Sequence, residues 1–451
     1  MDARTRRALK QRHHQIQHYR STHGAVDFFN TLTGPQLLEL TESQLPEHRE
    51  RLYPPTVTLS LFLGQCLSAD RSCQQAVNGW LAQRLSQGLK GHSLSTGGYC
   101  KARLRLPQPM ISALVQGTGR MLSEAAECAW RWQGRAVKLL DGTTVSAPDT
   151  CSTQQRYPQS SLQAVGVGFP LLRVVGVICL STGAVLDAAV GGCVGEGASE
   201  LALLRQLYAA LQPGDVALGD ALYCNYFVIC ALRERGVDMV CELQGGRRAD
   251  FRRGERLGKE DHLVCWPRPR QPPWMSRQQY ESLPEQLVLR ESRVKGRVLV
   301  STMGDARAVP KAQLFELYAQ RWQVELDLRN IKAVLGMRVL SGMSAQMNEK
   351  QIWVYLLAYN LIRMLMASAA RQVQCHPRQL SFKHTLQLWM HWRDRGLLAH
   401  PDHILQLLLA IAQRRCGHRA GRKEPRARKR RPHPYPWLQV PRSEHPHHAA
   451  A

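Results

Sequence analysis

The chain has no apolar run long enough to cross a membrane. Its best apolar stretch covers only residues 174–186, whereas a membrane-spanning helix needs about 20 residues. The first residues, "MDARTRRALKQRHHQ", carry charge but lack the apolar centre of a signal peptide. The sequence therefore predicts a protein that is neither exported nor inserted into a membrane.

Cysteine pairs at metal-binding or redox spacing are also missing. The 13 cysteines are scattered, odd in number and without a C-x-x-C pair. In a chain with no export signal this pattern is typical of reduced, structural thiols. Cys416 and His418 alone do not make a metal site, and we interpret them as loop residues. No internal repeat is evident.

Acidic residues are scarce relative to basic ones. Lys and Arg number 60 against 35 Asp and Glu, which gives a formal net charge of +25 and a pI near 10.0. This imbalance favours polyanionic partners, with nucleic acid ahead of an anionic membrane surface. We therefore expect a soluble cytoplasmic protein that binds nucleic acid.

The 451 residues, 44% of them hydrophobic, are enough for two or three domains. Residues 1–135 have a helical and basic pattern, residues 136–345 alternate strands and helices, and residues 346–451 are helical before a basic tail. In the first part, Pro54 and Pro55 start a long helical pattern that continues to residue 85. The block "STGGYCKARLRLP" follows, and its cations Lys101, Arg103 and Arg105 form either a solvated face or a nucleic-acid contact.

The central part has the pattern of an α/β protein. Short apolar runs predict strands, among them "AVKLLDG", "LLRVVGVICLSTGAVLDAAVGG", "DVALGD" and "DMVCEL", with helices at "ASELALLRQLYAAL" and "NYFVICALRERG". A meander followed by strand–helix alternation predicts a mixed sheet. Residues 245–300 break the rhythm, being rich in Arg, Pro and Gly and ending in a hairpin that turns at Lys295 and Gly296. We interpret them as a β-rich insertion.

Two aspartates follow predicted strands of this sheet. Asp141 ends "VKLL" and Asp220 ends "DVALG", and such positions lie together at the edge where α/β sheets place their sites. Each has a simpler interpretation, since Asp141 could be a turn residue and Asp220 the N-cap of the next helix. Asp149 and Asp215 are less favoured, because one lies in a loop and the other opens its strand.

A third acid lies in "YAQRWQVELDLRNIK", residues 318–332. A helix turns about 100° per residue, so one face of this segment collects Tyr318, Arg321, Trp322, Glu325 and Lys332. Asp327 falls on the opposite side, where we expect an Asp327→Asn substitution to leave any chemistry unaffected. The simpler interpretation is a surface helix in which Arg321 and Glu325 form an ordinary ion pair.

Three converging carboxylates would repel one another unless cations lie between them. Magnesium suits hard carboxylate oxygens and keeps water ligands. Two such ions about 4 Å apart can stabilise both the attacking and the leaving oxygen of an in-line phosphoryl displacement. The pattern therefore indicates cleavage or joining of a phosphodiester.

The sequence resembles bacterial cut-and-paste transposases of the DDE type, specifically the insertion-sequence-four family. Its signature of Tyr, Arg, Glu and Lys at fixed spacing is matched by Tyr318, Arg321, Glu325 and Lys332. Similarity extends to "LLDGTTVSAPDT", "GDALYCNYF" and the tail "RKEPRARKRRPHPYP". It is firmest over residues 136–345.

The resemblance implies an RNase H-like mixed sheet with helices on both faces, interrupted by a β-rich insertion. It implies that Asp141, Asp220 and Glu325 bind two Mg²⁺ ions, for which Mn²⁺ can substitute. Tyr318, Arg321 and Lys332 would hold phosphates at the transposon end, and Trp322 would stack on a flipped base. Neither Trp266 nor Trp274 can be matched to a second stacking aromatic.

The implied activity is excision and integration of an insertion sequence through nicking, hairpin formation, hairpin opening and strand transfer. The implied partners are terminal inverted repeats, target DNA and a second copy of the chain in a synaptic dimer. Residues 1–135 would bind DNA, and the protein would associate with the bacterial nucleoid. The alternatives are an inactive DNA-binding relic and an RNase H-like nuclease that cuts without joining.

The tail generates a prediction of its own. Deleting residues 419–451 removes nine Lys or Arg residues, and each phosphate contact contributes about 0.9 to the slope of log affinity against log salt. We expect the deletion to weaken non-specific DNA binding and flatten that slope in a salt titration. An unchanged slope would show that the tail only solubilises the protein.

Overall fold

The computed structural model describes residues 52–86, 88–399, 401–416, 437–441 and 444. The expectations for residues 1–51 and for most of the basic tail lie outside these ranges. Within them, the chain folds into a nine-stranded mixed sheet covered by helices, as the sequence predicts.

The strands are β1 Val137–Ser146, β2 Leu171–Cys179, β3 Val185–Gly192, β4 Val216–Gly219, β5 Asp238–Glu242, β6 Glu255–Gly258, β7 Asp261–Pro267, β8 Gln286–Val294 and β9 Arg297–Ser301. The α-helices are α1 Pro55–Leu67, α2 Cys73–Ser86, α3 Gly97–Arg105, α4 Gln108–Glu124, α5 Cys151–Arg156, α6 Glu200–Arg205, α7 Tyr226–Glu234, α8 Arg277–Glu281, α9 Lys311–Ala319, α10 Gln323–Arg329, α11 Ala345–Gln372, α12 Phe382–Asp394 and α13 Pro401–Gln413.

The strand order is β3-β2-β1-β4-β5-β9-β8-β7-β6. β1, β2 and β3 form an antiparallel meander, whereas β1, β4 and β5 run parallel. The meander and the strand–helix alternation are thus confirmed, as is the hairpin between β8 and β9, where Lys295 and Gly296 have positive φ. The block at residues 245–300 is not a separate unit, because β9 pairs with β5 and continues the same sheet.

The two faces of the sheet belong to different hydrophobic cores. Leu139 packs with residues of α1, α4, α9, α10 and α11, while its neighbour Leu140 packs with residues of α6 and α7. Adjacent strand residues point to opposite faces, so this pair shows that helices cover both. The first core runs from α1 to α13 and crosses the predicted boundaries at residues 135 and 345, which stay a prediction.

Two expectations for the N-terminal part need correction. The single long helix is two helices, α1 and α2, although Pro55 does occupy the first turn of α1 as predicted. Arg103 does not lie on a solvated face. Its guanidinium is buried, donates to Gln65 Oε1 at 3.3 Å and stacks on the rings of Phe62 and Tyr99. Burial of the charge is tolerated because these groups compensate it.

Helix α11 is long and apolar enough to span a membrane by length and composition alone. Its most apolar window has a mean hydropathy of 1.4, and 89% of that window is buried inside the protein. The sequence pattern missed it because Asn360 and Arg363 interrupt the apolar run. Both have buried partners, and α11 is the central helix of the larger core.

Candidate active site

Asp141 and Asp220 lie at the same level of two parallel, neighbouring strands. β1 and β4 pair with Val137 opposite Val216 and Leu139 opposite Leu218. Continuing this register by two residues places Asp141 beside Asp220. The aspartates are close enough that the charge of Asp220 acts on the carboxyl group of Asp141. The predicted neighbourhood of these two acids is therefore present in the fold.

Asp141 does not end its strand, contrary to the expectation from its Asp-Gly pair. β1 continues to Ser146 because its other edge stays paired with β2, where Asp141 lies opposite Gly176. The parallel pairing of β1 with β4, in contrast, ends two residues before Asp141. The carboxylate of Asp141 therefore lies beside the carboxyl end of β4. Its Oδ1 accepts a hydrogen bond of 2.8 Å from the Gly142 amide.

Asp220 is an N-cap, as its simpler interpretation predicts. Its Oδ1 accepts from the Leu222 amide at 2.8 Å and caps the 3₁₀ turn Ala221–Tyr223. This bond uses one lone pair of one oxygen and leaves the rest of the carboxylate free to accept other ligands. The capping role and a role in chemistry are therefore compatible.

Glu325 lies in a helical segment that changes geometry along its length. The predicted continuous helix is instead α9, a 3₁₀ turn at Gln320–Trp322, α10 and a π-helical turn at Asn330–Val334. Glu325 nevertheless pairs with Arg321, whose Nη2 donates to Oε1 at 3.0 Å. The ordinary ion pair is thus real, and the charge of Arg321 also acts on Asp141.

The remaining predicted residues differ in exposure. Trp322 is 58% exposed, so its indole is not a core side chain. Lys332 donates from Nζ to Thr143 Oγ1 at 2.9 Å and so ties the π-helical turn to β1, two residues beyond Asp141. Tyr318 is only 4% exposed, and burial raises the pKa of its phenol. Only a small part of Tyr318 is therefore open to a ligand.

Negative charge accumulates around Asp141. Desolvation raises its pKa to about 6, helped by the charges of Asp220 and Glu200, while the Gly142 amide and Arg321 act in the opposite direction. A cation bound beside Asp141 would offset this cost, because a nearby positive charge favours the ionised form of a carboxyl group. Across the residues that the structure describes, however, no three Asp, Glu, His or Cys side chains are close enough to hold one ion. The Glu325 carboxylate is instead paired with the Arg321 guanidinium.

Glu200 was not predicted as a residue of this site. It is the first residue of α6, where an acid is expected simply from the helix dipole, and its carboxylate lies against Gly142.

The two less favoured aspartates, Asp149 and Asp215, lie where the sequence predicts. Asp149 is exposed and bonds Gln154, and Asp215 lies before β4, 3.8 Å from the Lys138 ammonium.

Acidic side chains at the carboxyl ends of parallel strands in an α/β sheet are the usual position of an enzyme site. The model of the "Transposase DDE domain" family matches residues 132–361, more than half of the chain. The chain therefore belongs to the DDE transposases and is an enzyme that cleaves DNA and transfers strands. Members of this family generally use divalent metal ions.

The chain is also similar to individual transposases. Over 436 residues the chain is 26% identical to the transposase InsG of insertion sequence element IS4 from Escherichia coli K12, which covers 93% of this chain and 96% of that protein. The predicted insertion-sequence-four family is thereby confirmed. A piggyBac transposase, solved in a synaptic complex with hairpin DNA, aligns with 86% of this chain and 85% of its own at 10% identity and a TM-score of 0.42.

Asp327, on the opposite face of α10, has no exposed surface. Its carboxylate accepts from Tyr359 at 2.8 Å, from Arg378 at 2.6 and 2.7 Å, and from Arg363. Arg378 also donates to the carbonyls of Cys179, the last residue of β2, and of Leu180, which follows it. Asp327 therefore fixes the helix that carries Glu325 to the sheet and to α11. It is not a neutral position.

We expect Asp327→Asn to destabilise the fold by about 3–5 kcal/mol, because it leaves two buried arginines without their counter-charge. Urea unfolding measures this loss. The matched control is Glu316→Gln, which neutralises an exposed acid of α9 and should leave the midpoint unchanged. Equal midpoints for the two variants would show that the buried cluster does not stabilise α10.

Proposed function

We propose that this transposase excises and integrates an insertion sequence with Asp141, Asp220 and Glu325 as its catalytic carboxylates. The observation that carries the proposal is the register of β1 and β4, which sets the two aspartates side by side on a strand that α10 also contacts. The strand order β3-β2-β1-β4-β5, antiparallel then parallel, supports an RNase H-like catalytic core, to which β6–β9 add the β-rich insertion.

The donor set fits a hard divalent cation. The three candidate ligands are carboxylates, and burial together with neighbouring negative charge makes the ionised form of Asp141 costly without a cation. Asp141, Asp220 and Glu325 would hold two Mg²⁺ or Mn²⁺ ions. When bound, such ions activate water or a hydroxyl group and stabilise the charge of the leaving oxygen.

Arg321 has a central part in preparing the site. It pairs with Glu325, and its charge also acts on Asp141. A DNA phosphate can compete for this guanidinium, because it can accept two parallel hydrogen bonds, whereas the contact with Glu325 is a single bond of 3.0 Å. We propose that DNA draws Arg321 away from Glu325 and so frees that carboxylate for the reaction.

Lys332 and Tyr318 complete the proposed phosphate contacts. The Lys332 ammonium already lies beside β1 through Thr143, where it could neutralise a phosphate next to Asp141. Tyr318 can contribute only through the small exposed part of its side chain. Both contacts fix the position of the scissile bond without supplying a ligand for the cation.

The proposed reaction has four in-line phosphoryl transfers. Water cleaves one strand at the element's end, the freed 3′-OH attacks the opposite strand to form a hairpin, water opens the hairpin, and the new 3′-OH attacks target DNA. Each transfer exchanges one phosphodiester oxygen for another, so one set of residues can serve all four. Inverted repeats at both ends require a synaptic dimer, and the reaction would take place at the bacterial nucleoid.

Neutralising each carboxylate tests the proposal. Asp141→Asn, Asp220→Asn and Glu325→Gln should each abolish cleavage of labelled end DNA while leaving end binding nearly intact, because each removes a negative ligand and no cation. Glu316→Gln is the active control. Appreciable nicking by any one of the three variants would reject the assignment of that residue.

Trp322 provides a separate prediction. Its exposed indole offers a flat surface to a base, and stacking is worth about 1–3 kcal/mol, similar to the cost of unstacking a base. Trp322→Ala should slow the hairpin step by about 10- to 100-fold and spare the first nick. The assay resolves nicked, hairpin and double-cut DNA over time.

Thermal melting accompanies this assay. Because Trp322 is 58% exposed, the melting temperature should stay near that of the wild type. An equal slowing of every step, together with a lower melting temperature, would show that the indole acts through packing and not through a base.

A further inference from the structure

The carboxylate of Glu200 occupies a space that exists because residue 142 is glycine. A Cβ atom added to Gly142 would lie 2.6 Å from both Cδ and Oε2 of Glu200. Any other residue would therefore displace the carboxylate. Since Gly142 directly follows Asp141, β1 makes room for a further acid beside the first catalytic aspartate.

The contacts of Glu200 hold the carboxylate without saturating it. Arg173 donates from Nη1 to Oε1 at 3.4 Å, and the Tyr223 hydroxyl donates to Oε2 at 3.4 Å. Both distances exceed the usual hydrogen-bond range of about 2.5–3.2 Å. A carboxylate has about four lone-pair sites, so Glu200 keeps acceptor capacity on both oxygens. A tight structural ion pair would be shorter and bidentate.

Tyr223 links Glu200 to the two aspartates. Its buried ring belongs to the 3₁₀ turn that Asp220 caps, and its hydroxyl group feels the charges of Glu200, Asp141 and Asp220 together. Glu200 approaches from α6, on the face of the sheet opposite α10, which carries Glu325. Glu200 and Glu325 therefore come from helices on opposite faces of the sheet.

We propose that Glu200 is a positioning residue of the active site that raises the affinity of the Asp141–Asp220 pair for a divalent cation. A third negative charge beside two carboxylates deepens the local potential that attracts such an ion. Arg173 and Tyr223 hold that charge against Gly142, the residue next to Asp141 in β1. This inference rests on the proposed function, because it assumes that the aspartates bind the ion.

Binding of Mn²⁺ alone to the full chain tests the inference, with free Mn²⁺ followed by electron paramagnetic resonance. Glu200→Gln should bind Mn²⁺ about 10- to 100-fold more weakly, the range typical of residues that support metal ligands. Glu200→Asp keeps the charge, so its affinity for Mn²⁺ should lie between those of Glu200→Gln and the wild type. The matched control is Glu196→Gln, an exposed acid four residues earlier, which should bind as the wild type does.

Gly142→Ala provides a second variant, because its methyl group displaces the Glu200 carboxylate while every acid remains. It should weaken Mn²⁺ binding as Glu200→Gln does, with melting temperatures recorded for each protein. Wild-type affinity in a folded Glu200→Gln protein would overturn the inference and leave the proposed function standing. Failure of the wild type to bind Mn²⁺ at a site that Asp220→Asn removes would overturn both.

Discussion

A single buried negative charge organises the surroundings of the active site. Asp327 has no exposed surface, and the cost of burying its charge is met only because Arg363, Arg378 and Tyr359 converge on it. These partners come from α11 and from the turn that follows it, and Arg378 also bonds the end of β2. Helix α10 cannot shift without breaking this cluster, so Glu325 on its other face keeps a fixed relation to the sheet.

The sheet supplies the second constraint. The parallel pairing of β1 with β4 aligns Asp141 with Asp220, while the antiparallel pairing with β2 keeps β1 extended past the point where its parallel partner ends. At Asp141 the pairing of β1 with β2 thus continues, while its pairing with β4 has ended. Charges of both signs are then found near Asp141: Asp220 on the next strand, Glu200 at the start of α6, Arg321 before α10, and Lys332, which is bonded to Thr143 of β1. Such a combination is compatible with the proposed function, in which a cation and a phosphodiester would have to be bound together.

Local patterns in the sequence predicted the elements that depend on neighbouring residues. The β2–β3 pair, the hairpin at Lys295 and Gly296, and the start of α1 at Pro55 all follow from turn and capping chemistry. Sequence spacing also placed Arg321 four residues from Glu325, and that pair formed despite the 3₁₀ turn before α10. The prediction that the strand ends at Asp141 was wrong, because a long-range contact overrides the local signal. An Asp-Gly pair favours a turn, and only pairing with β2, which begins 30 residues later, keeps the chain extended.

The other residues that the sequence could not place depend on contacts with residues far away in the chain. Arg103 is buried through Gln65 and two aromatic rings, and Glu200 meets Gly142 across 58 positions of the chain. Neither partner can be predicted from the spacing of neighbouring residues.

The most direct test of the proposed function is a reconstituted reaction of the full chain with Mg²⁺, DNA carrying both ends of the element and a target plasmid. The account predicts an excised fragment joined to the target. Cleavage without joining, or no cleavage at all, would contradict it.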